Sequence, residues 1–173
     1  MRRAIVSIAV ALALVMAAPA AGAWAAPAKA TDVSPYNILH NERSGKCLDQ
    51  DFTNGVPHSG TLAWVCNGQP NQTWEFIKFG IQEVYTIRNV GSNGCLDQDY
   101  TNGVPHSGVL VWVCNGDANQ LWELNKQSDG SYKLQNHASG QCLDQDYTNG
   151  VEHSGVLAWP CAASSTNQRW VFS

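Results

Sequence analysis

Apolar and polar residues alternate along this chain in short runs, and the runs return three times. Tyr36-Asn37-Ile38-Leu39-His40, Tyr85-Thr86-Ile87-Arg88-Asn89 and Tyr132-Lys133-Leu134-Gln135-Asn136 carry the two-residue period of a half-buried strand. Turn residues follow each run: Ser44-Gly45, Ser92-Asn93-Gly94 and Ser139-Gly140. A Cys-Leu-Asp piece then predicts a second strand, and a link from Thr-Asn-Gly to His-Ser-Gly supplies turn chemistry. Val109-Leu110-Val111-Trp112-Val113 and its equivalents predict a third strand, with the three valines facing inward and Leu110 and Trp112 outward. A fourth begins at the tryptophan of each Asn-Gln-x-Trp. No stretch sustains a helical period, so the chain reads as all-β, with twelve short strands.

The recurrence is close to literal. CLDQDFTNGVPHSGTLAWVC starts at Cys47, CLDQDYTNGVPHSGVLVWVC at Cys95 and CLDQDYTNGVEHSGVLAWPC at Cys142. NQTW, NQLW and NQRW follow at Asn71, Asn119 and Asn167. A repeat this regular fixes the architecture before any local assignment. The units are 36–79, 84–126 and 132–173, within one domain over 36–173. Three equal units of four short strands can close into a barrel and so remove their sheet edges. A two-sheet sandwich has no place for a threefold repeat.

The cysteines add a constraint. Cys47/Cys66, Cys95/Cys114 and Cys142/Cys161 are equally spaced, and one bridge inside each repeat treats all copies alike. Zinc is disfavoured because no Cys-x-x-Cys is present. Bridges need an oxidising compartment, and the start of the chain agrees. Arg2 and Arg3 precede an apolar run from Ala4 to Ala18 and then Ala23-Trp24-Ala25. That is the pattern of a secretory signal peptide over 1–25, with an apolar run short of the ~20 residues that span a bilayer. Residues 26–35 read as a flexible tail. The formal net charge is −4, more negative once Arg2 and Arg3 leave, and no basic cluster offsets it. Nucleic acid and anionic membranes are therefore poor partners, and a secreted, extracellular monomer is expected.

The Cys-Leu-Asp start, the Trp-Val-Cys or Trp-Pro-Cys end and three Asn-Gln-x-Trp phrases in register resemble the ricin B-type lectin family and its relatives, the family 13 carbohydrate-binding modules. The resemblance covers 36–173. It implies a β-trefoil: a six-stranded barrel capped by three hairpins, with one shallow sugar site per repeat. Trp64, Trp112 and Trp159, facing outward, offer a flat apolar platform to the C–H face of a sugar ring. Asp49, Asp97 and Asp144 match the family's aspartate, which accepts hydrogen bonds from sugar hydroxyls. Asn71, Asn119 and Asn167 match its sugar-contacting asparagine, with a donor and an acceptor to offer. Gln72, Gln120 and Gln168 look like the residues that hold the aspartate. Trp74, Trp122 and Trp170 belong to the core.

Two features depart from the family. Leu62, Leu110 and Leu157 stand where many members carry a glutamine, so each pocket exchanges a polar contact for an apolar wall. Possible replacements lie in the link: Asp51, Asp99 and Asp146; Asn54, Asn102 and Asn149; His58, His106 and His153. The phrase LDQDYTNG also resembles the LDSNY of mannose-binding trefoil lectins of actinomycetes. Metals and cofactors are not expected: the run from Asp97 misses the EF-hand pattern, with glycine at its seventh position instead of its sixth. Paired acids such as Asp97 and Asp99 suit glycosidase chemistry, but a catalytic site is single and these groups come in triplicate. The expected function is a non-catalytic lectin that holds glycans or polysaccharides at up to three sites. The alternative is a trefoil protease inhibitor or interaction protein.

Overall fold

The strand at the start of repeat one is interrupted at Ile38, and this adds a strand to the expected count. The computed structural model describes residues 33–173, so the leader and the tail up to residue 32 lie outside the described residues. Repeat one contains β1 (Tyr36–Asn37), β2 (Leu39–Asn41), β3 (Cys47–Gln50), β4 (Thr61–Trp64) and β5 (Trp74–Lys78). Repeat two contains β6 (Val84–Asn89), β7 (Cys95–Gln98), β8 (Val109–Trp112) and β9 (Leu121–Lys126). Repeat three contains β10 (Tyr132–Asn136), β11 (Cys142–Gln145), β12 (Val156–Trp159) and β13 (Trp170–Phe172). Among the described residues there are thirteen strands because the first changes partner at Ile38. β1 pairs with β5, whereas β2 pairs with β13, and Ile38 exchanges backbone hydrogen bonds with Ser173 at the crossover.

That change of partner closes the sheet. β5, β6, β9, β10 and β13 follow one another in antiparallel register, and the β1–β2 segment fills the gap between β13 and β5. The result is the six-stranded barrel of a pseudo-threefold β-trefoil, with no free edge. The hairpins β3–β4, β7–β8 and β11–β12 form the cap, and bridges such as Leu62 to Gly155 and Gly108 to Leu157 join them. Among the described residues there is no α-helix, only single 3-10 turns.

The core repeats with the sequence. Leu39, Ile87 and Leu134 meet Leu48, Leu96 and Leu143, all fully buried. Trp74, Trp122 and Trp170 are also fully buried, and a buried indole N–H needs an acceptor. Each finds the same one: Nε1 donates to the carbonyls of Leu48, Leu96 and Leu143 at 3.0, 2.9 and 3.1 Å. The tryptophan of each Asn-Gln-x-Trp thus ties the barrel to its cap hairpin.

Disulfides Cys47–Cys66, Cys95–Cys114 and Cys142–Cys161 each span 19 positions, with Cα atoms 5.1 Å apart. The repeats are then stitched to one another. Val111, Ala158 and Ala63 donate backbone N–H bonds to Ser59, Ser107 and Ser154 of the preceding repeat. Ser92, Ser139 and Ser44 donate their hydroxyls at 2.6 Å to Gln50, Gln98 and Gln145 of that same repeat.

Two expectations change. Val113 is not in the core: β8 ends at Trp112, alternation ends with it, and Val113 is 75% exposed. Its carbonyl serves as a hydrogen-bond acceptor instead. At the other end, Val33 packs partly buried against the core and Pro35 accepts from the Phe76 N–H, so the fold takes in the last residues assigned to the tail.

Candidate functional site

One face of each cap hairpin gathers the residues that the sequence singled out. Across β7–β8, Asp97 lies opposite Leu110 and Cys95 opposite Trp112, so Asp97, Leu110 and Trp112 share a face. Val109 and Val111 point the other way into the core, which leaves the Trp112 indole 58% exposed. Trp64 and Trp159 repeat this at 52% and 55%.

A turn brings the amides to the carboxylate. Asn115 Oδ1 accepts from the Asp117 N–H, and the chain then makes a 3-10 turn at Ala118–Gln120. Asn119 and Gln120 are thereby aimed back at β7. Asn119 Nδ2 donates to Asp97 Oδ1 at 2.9 Å, and Gln120 Nε2 donates to Oδ2 at 2.8 Å. Repeat one gives 2.9 and 2.6 Å for Asn71 and Gln72 on Asp49. Repeat three gives 2.7 and 2.7 Å for Asn167 and Gln168 on Asp144.

Each amide has a further partner. Gln120 Nε2 also donates to Val113 O, and its Oε1 accepts from the Asn115 N–H, so this side chain is fully engaged. Asn119 Nδ2 also donates to Gln98 O at 3.0 Å. Both amide hydrogens of Asn119 are therefore spent inside the protein, and Oδ1 is what it presents outward. The expectation that the asparagines offer donor and acceptor alike narrows to the acceptor. From behind, the next repeat holds the turn: Asn89, Asn136 and Asn41 donate Nδ2 to the carbonyls of Asn71, Asn119 and Asn167 at 2.9, 2.8 and 2.8 Å.

Electrostatics follow from burial. Asp49, Asp97 and Asp144 are 4%, 4% and 6% exposed. Desolvation holds their pKa above the ordinary 3.8, partly offset by the Gln and Asn hydrogen bonds that favour the ionised form. The neighbouring acids Asp51, Asp99 and Asp146 raise them further.

Each trio opens on a cavity, of about 310, 500 and 670 Å³ in repeats one, two and three. Asp97, Asp99, Tyr100, Leu110, Trp112 and Asn119 line the second, and matching residues line the others. In repeat three Pro160 and Ala162 widen the wall where repeats one and two have valine and asparagine.

Sequence reasoning passed over the aromatic wall formed by Phe52, Tyr100 and Tyr147. The signal was an aromatic residue at one fixed place in an otherwise polar link. Of the suggested replacements for the missing glutamine, Asp51, Asp99 and Asp146 do reach their own pockets. Each has one oxygen engaged by the backbone and hydroxyl of the Thr two residues on. Asn54, Asn102 and Asn149 instead sit at φ of 58°, 57° and 55°, where they turn the link. His58 lines a different cavity, against the next repeat. Among the described residues one cluster has metal-ligand spacing, His40 with Cys47 and Cys66, but both sulfurs belong to a disulfide.

The sequence model of the ricin-type beta-trefoil lectin domain matches residues 35–170. No curated protein sequence matches the chain. Among solved structures, the designed threefold-symmetric protein ThreeFoil is 25% identical with a TM-score of 0.71, over 80% of this chain and 97% of its own. The exo-beta-1,3-galactanase 1,3Gal43A from Clostridium thermocellum is 26% identical with a TM-score of 0.68, over 82% of this chain and 30% of the enzyme. The hemolytic lectin CEL-III is 27% identical with a TM-score of 0.64, over 78% of this chain and 29% of the lectin. This chain therefore spans less than a third of the last two proteins.

Proposed function

The chain belongs to the ricin-type β-trefoil lectin family, and from that premise we propose that it is a secreted, non-catalytic, monomeric lectin with a sugar site in each of its three repeats. The observation that carries this reading is the trio on each hairpin face: an exposed indole, a carboxylate oxygen and an amide oxygen around one open cavity.

A pyranose has an apolar C–H face and a rim of hydroxyls. The indole receives the face by stacking. Asp97 and Asn119 present acceptors to the rim, so the ligand donates its hydroxyl protons. Gln120 and the turn behind Asn119 hold both acceptors in place before the ligand arrives, which lowers the ordering cost of binding. Each pocket is open, and a single ring buries few atoms, so one site binds weakly, in the millimolar range to order of magnitude (~1 mM). Three such pockets on one rigid cap convert weak sites into useful retention on a branched or polymeric glycan. The leucine wall of Leu62, Leu110 and Leu157 favours a hexose with an apolar edge at that side.

The likeness to CEL-III, a lectin, agrees with this role. The likeness to part of a galactanase makes β-1,3-galactan a polymer to include in any screen. A glycan and polysaccharide array probed with the oxidised protein tests the proposal. Retention on at least one hexose-bearing glycan, competed by the free sugar, is the expected result. Absence of binding to every glycan, together with inhibition of a protease, would replace it with the inhibitor reading.

A further inference from the structure

The seam between repeats one and two differs from the other two seams in a pair of facing residues, among other positions. The residue before the first cysteine is Lys46 in repeat one, Gly94 in repeat two and Gln141 in repeat three. Lys46 crosses its seam to pair with Glu152 at 2.5 Å. Gln141 crosses its seam to accept from Gln98 Nε2 at 2.7 Å. Gly94 has no side chain to send across.

The cause lies in the strand behind it. A Cβ on Gly94 would stand 2.4 Å from Val111 Cγ1 and 3.2 Å from the Trp112 carbonyl. Ala63 and Ala158 occupy the place of Val111 in the other repeats. Those repeats combine a small strand residue with a long residue before the cysteine, and repeat two does the reverse.

The seam is left with a cavity of about 310 Å³, lined among others by Pro57, His58, Ser59, Asn93, Trp112 and Val113. Trp112 borders this cavity and also the Asp97 pocket. His58 is held through its backbone, its N–H on Asp51 O at 2.7 Å and its carbonyl on Gln50 Nε2 at 2.8 Å. Its imidazole nitrogens make no hydrogen bond within the described residues. The lining combines an indole, a proline and a valine with an imidazole, an amide and a hydroxyl. That mixture suits the same ligand class as the main pocket, since a sugar ring needs both an apolar bed and polar partners.

We propose that the cleft at Gly94 is a second subsite of repeat two, which takes the ring glycosidically linked to the one held by Asp97 and Trp112. This rests on the lectin reading and deepens it. Repeat two binds an oligosaccharide across Trp112, whereas Lys46 and Gln141 send side chains across the other two seams.

The test uses the full oxidised chain with Asp49→Ala and Asp144→Ala, which leaves repeat two as the working site. Methyl galactoside, methyl mannoside and methyl glucoside, and the di- and trisaccharides of the same sugars, are titrated by calorimetry. For the sugar that binds, the trisaccharide is expected to bind about tenfold tighter than the methyl glycoside. Gly94→Gln with Val111→Ala installs the residue pair of repeat three. It removes that gain and leaves methyl glycoside affinity unchanged. His58→Ala, which leaves the backbone of the seam intact, removes part of the gain, and the His58 ring resonances shift only with the longer sugars. A gain that survives the double substitution, or no gain with length while the methyl glycoside still binds, overturns the subsite. Failure of every sugar to bind the unsubstituted protein overturns the lectin reading, and the subsite with it.

Discussion

Gln120 holds Asp97 Oδ2 at 2.8 Å with one end of its amide and the Asn115 N–H at 2.9 Å with the other. One buried side chain therefore fixes both the carboxylate and the loop that carries Asn119. Gln120→Ala leaves a buried carboxylate with one of its two side-chain donors, at a cost of roughly 1–3 kcal/mol. A fall in melting temperature together with lost binding at repeat two is the expected pair of effects. Gln72→Ala and Gln168→Ala should behave alike.

Asp49→Asn, Asp97→Asn and Asp144→Asn each place an amide against amide donors and remove an acceptor from one pocket. Retention on an immobilised glycan should decline stepwise as the substitutions are combined. Abolition by one substitution alone, with the other two silent, would show that a single pocket works.

The two sets of tryptophans should separate binding from stability. Trp112→Ala removes an exposed platform and should weaken glycan binding with little change in melting. Trp122→Ala empties a buried site and strands the Leu96 carbonyl, and should cost about 3–5 kcal/mol. Intrinsic fluorescence offers a direct check: sugar should perturb the emission of the protein, and the perturbation should shrink in Trp112→Ala.

Much of this was legible in the chain because the repeats report on one another. A single Cys-Leu-Asp or Asn-Gln-x-Trp is compatible with many loops, but three in register leave few closures for the sheet. The period-two pattern placed Trp112 outward and Val109 and Val111 inward. It misplaced Val113, because alternation does not announce where a strand ends. The extra strand at Ile38 was hidden for a related reason: β1 and β2 are one run in sequence, and only the arrival of Ser173 splits it. Nor does the sequence alone reveal that both amide hydrogens of Asn119 are consumed inside, since that depends on how closely the turn approaches Gln98. The clash that empties position 94 is a relation between Gly94 and Val111, two residues that look unremarkable when read separately.

Acid should disable the pockets before it unfolds the chain. Burial raises Asp49, Asp97 and Asp144 above 3.8, so the folded chain takes up protons at these sites over a range where the unfolded chain does not. Their contribution to stability therefore grows as pH falls from that raised range towards 3.8, and it opposes folding at higher pH. Asp51 and Asp146, lowered chiefly by hydrogen bonds from Thr53 and Thr148, act in the other direction: their support is present above 3.8 and is lost below it. Both are only partly buried, so that loss is small. On the proposed reading the ionised carboxylate is the acceptor for the sugar, so glycan retention should weaken at a pH above 3.8, while the melting temperature holds or rises. Retention and melting measured in the same buffers check the order of the two events.

Each disulfide closes a loop of 19 positions, worth about 3 kcal/mol in the unfolded-chain model. Removing Cys95–Cys114 by a double alanine substitution should lower the melting temperature by roughly 10 °C. Neither sulfur lines the Asp97 pocket, so binding of a single sugar ring should survive below the new transition. Calorimetric melting and a titration with the methyl glycoside report the two quantities independently.

The clasp of Asn89 on Asn71, Asn136 on Asn119 and Asn41 on Asn167 runs in one direction around the ring. A repeat excised as a peptide would carry every recognition residue and still lack the hand that steadies them. Exchanging or deleting one unit disturbs the pocket upstream of it as well as its own. Only a complete circuit of three leaves every loop gripped by a neighbour.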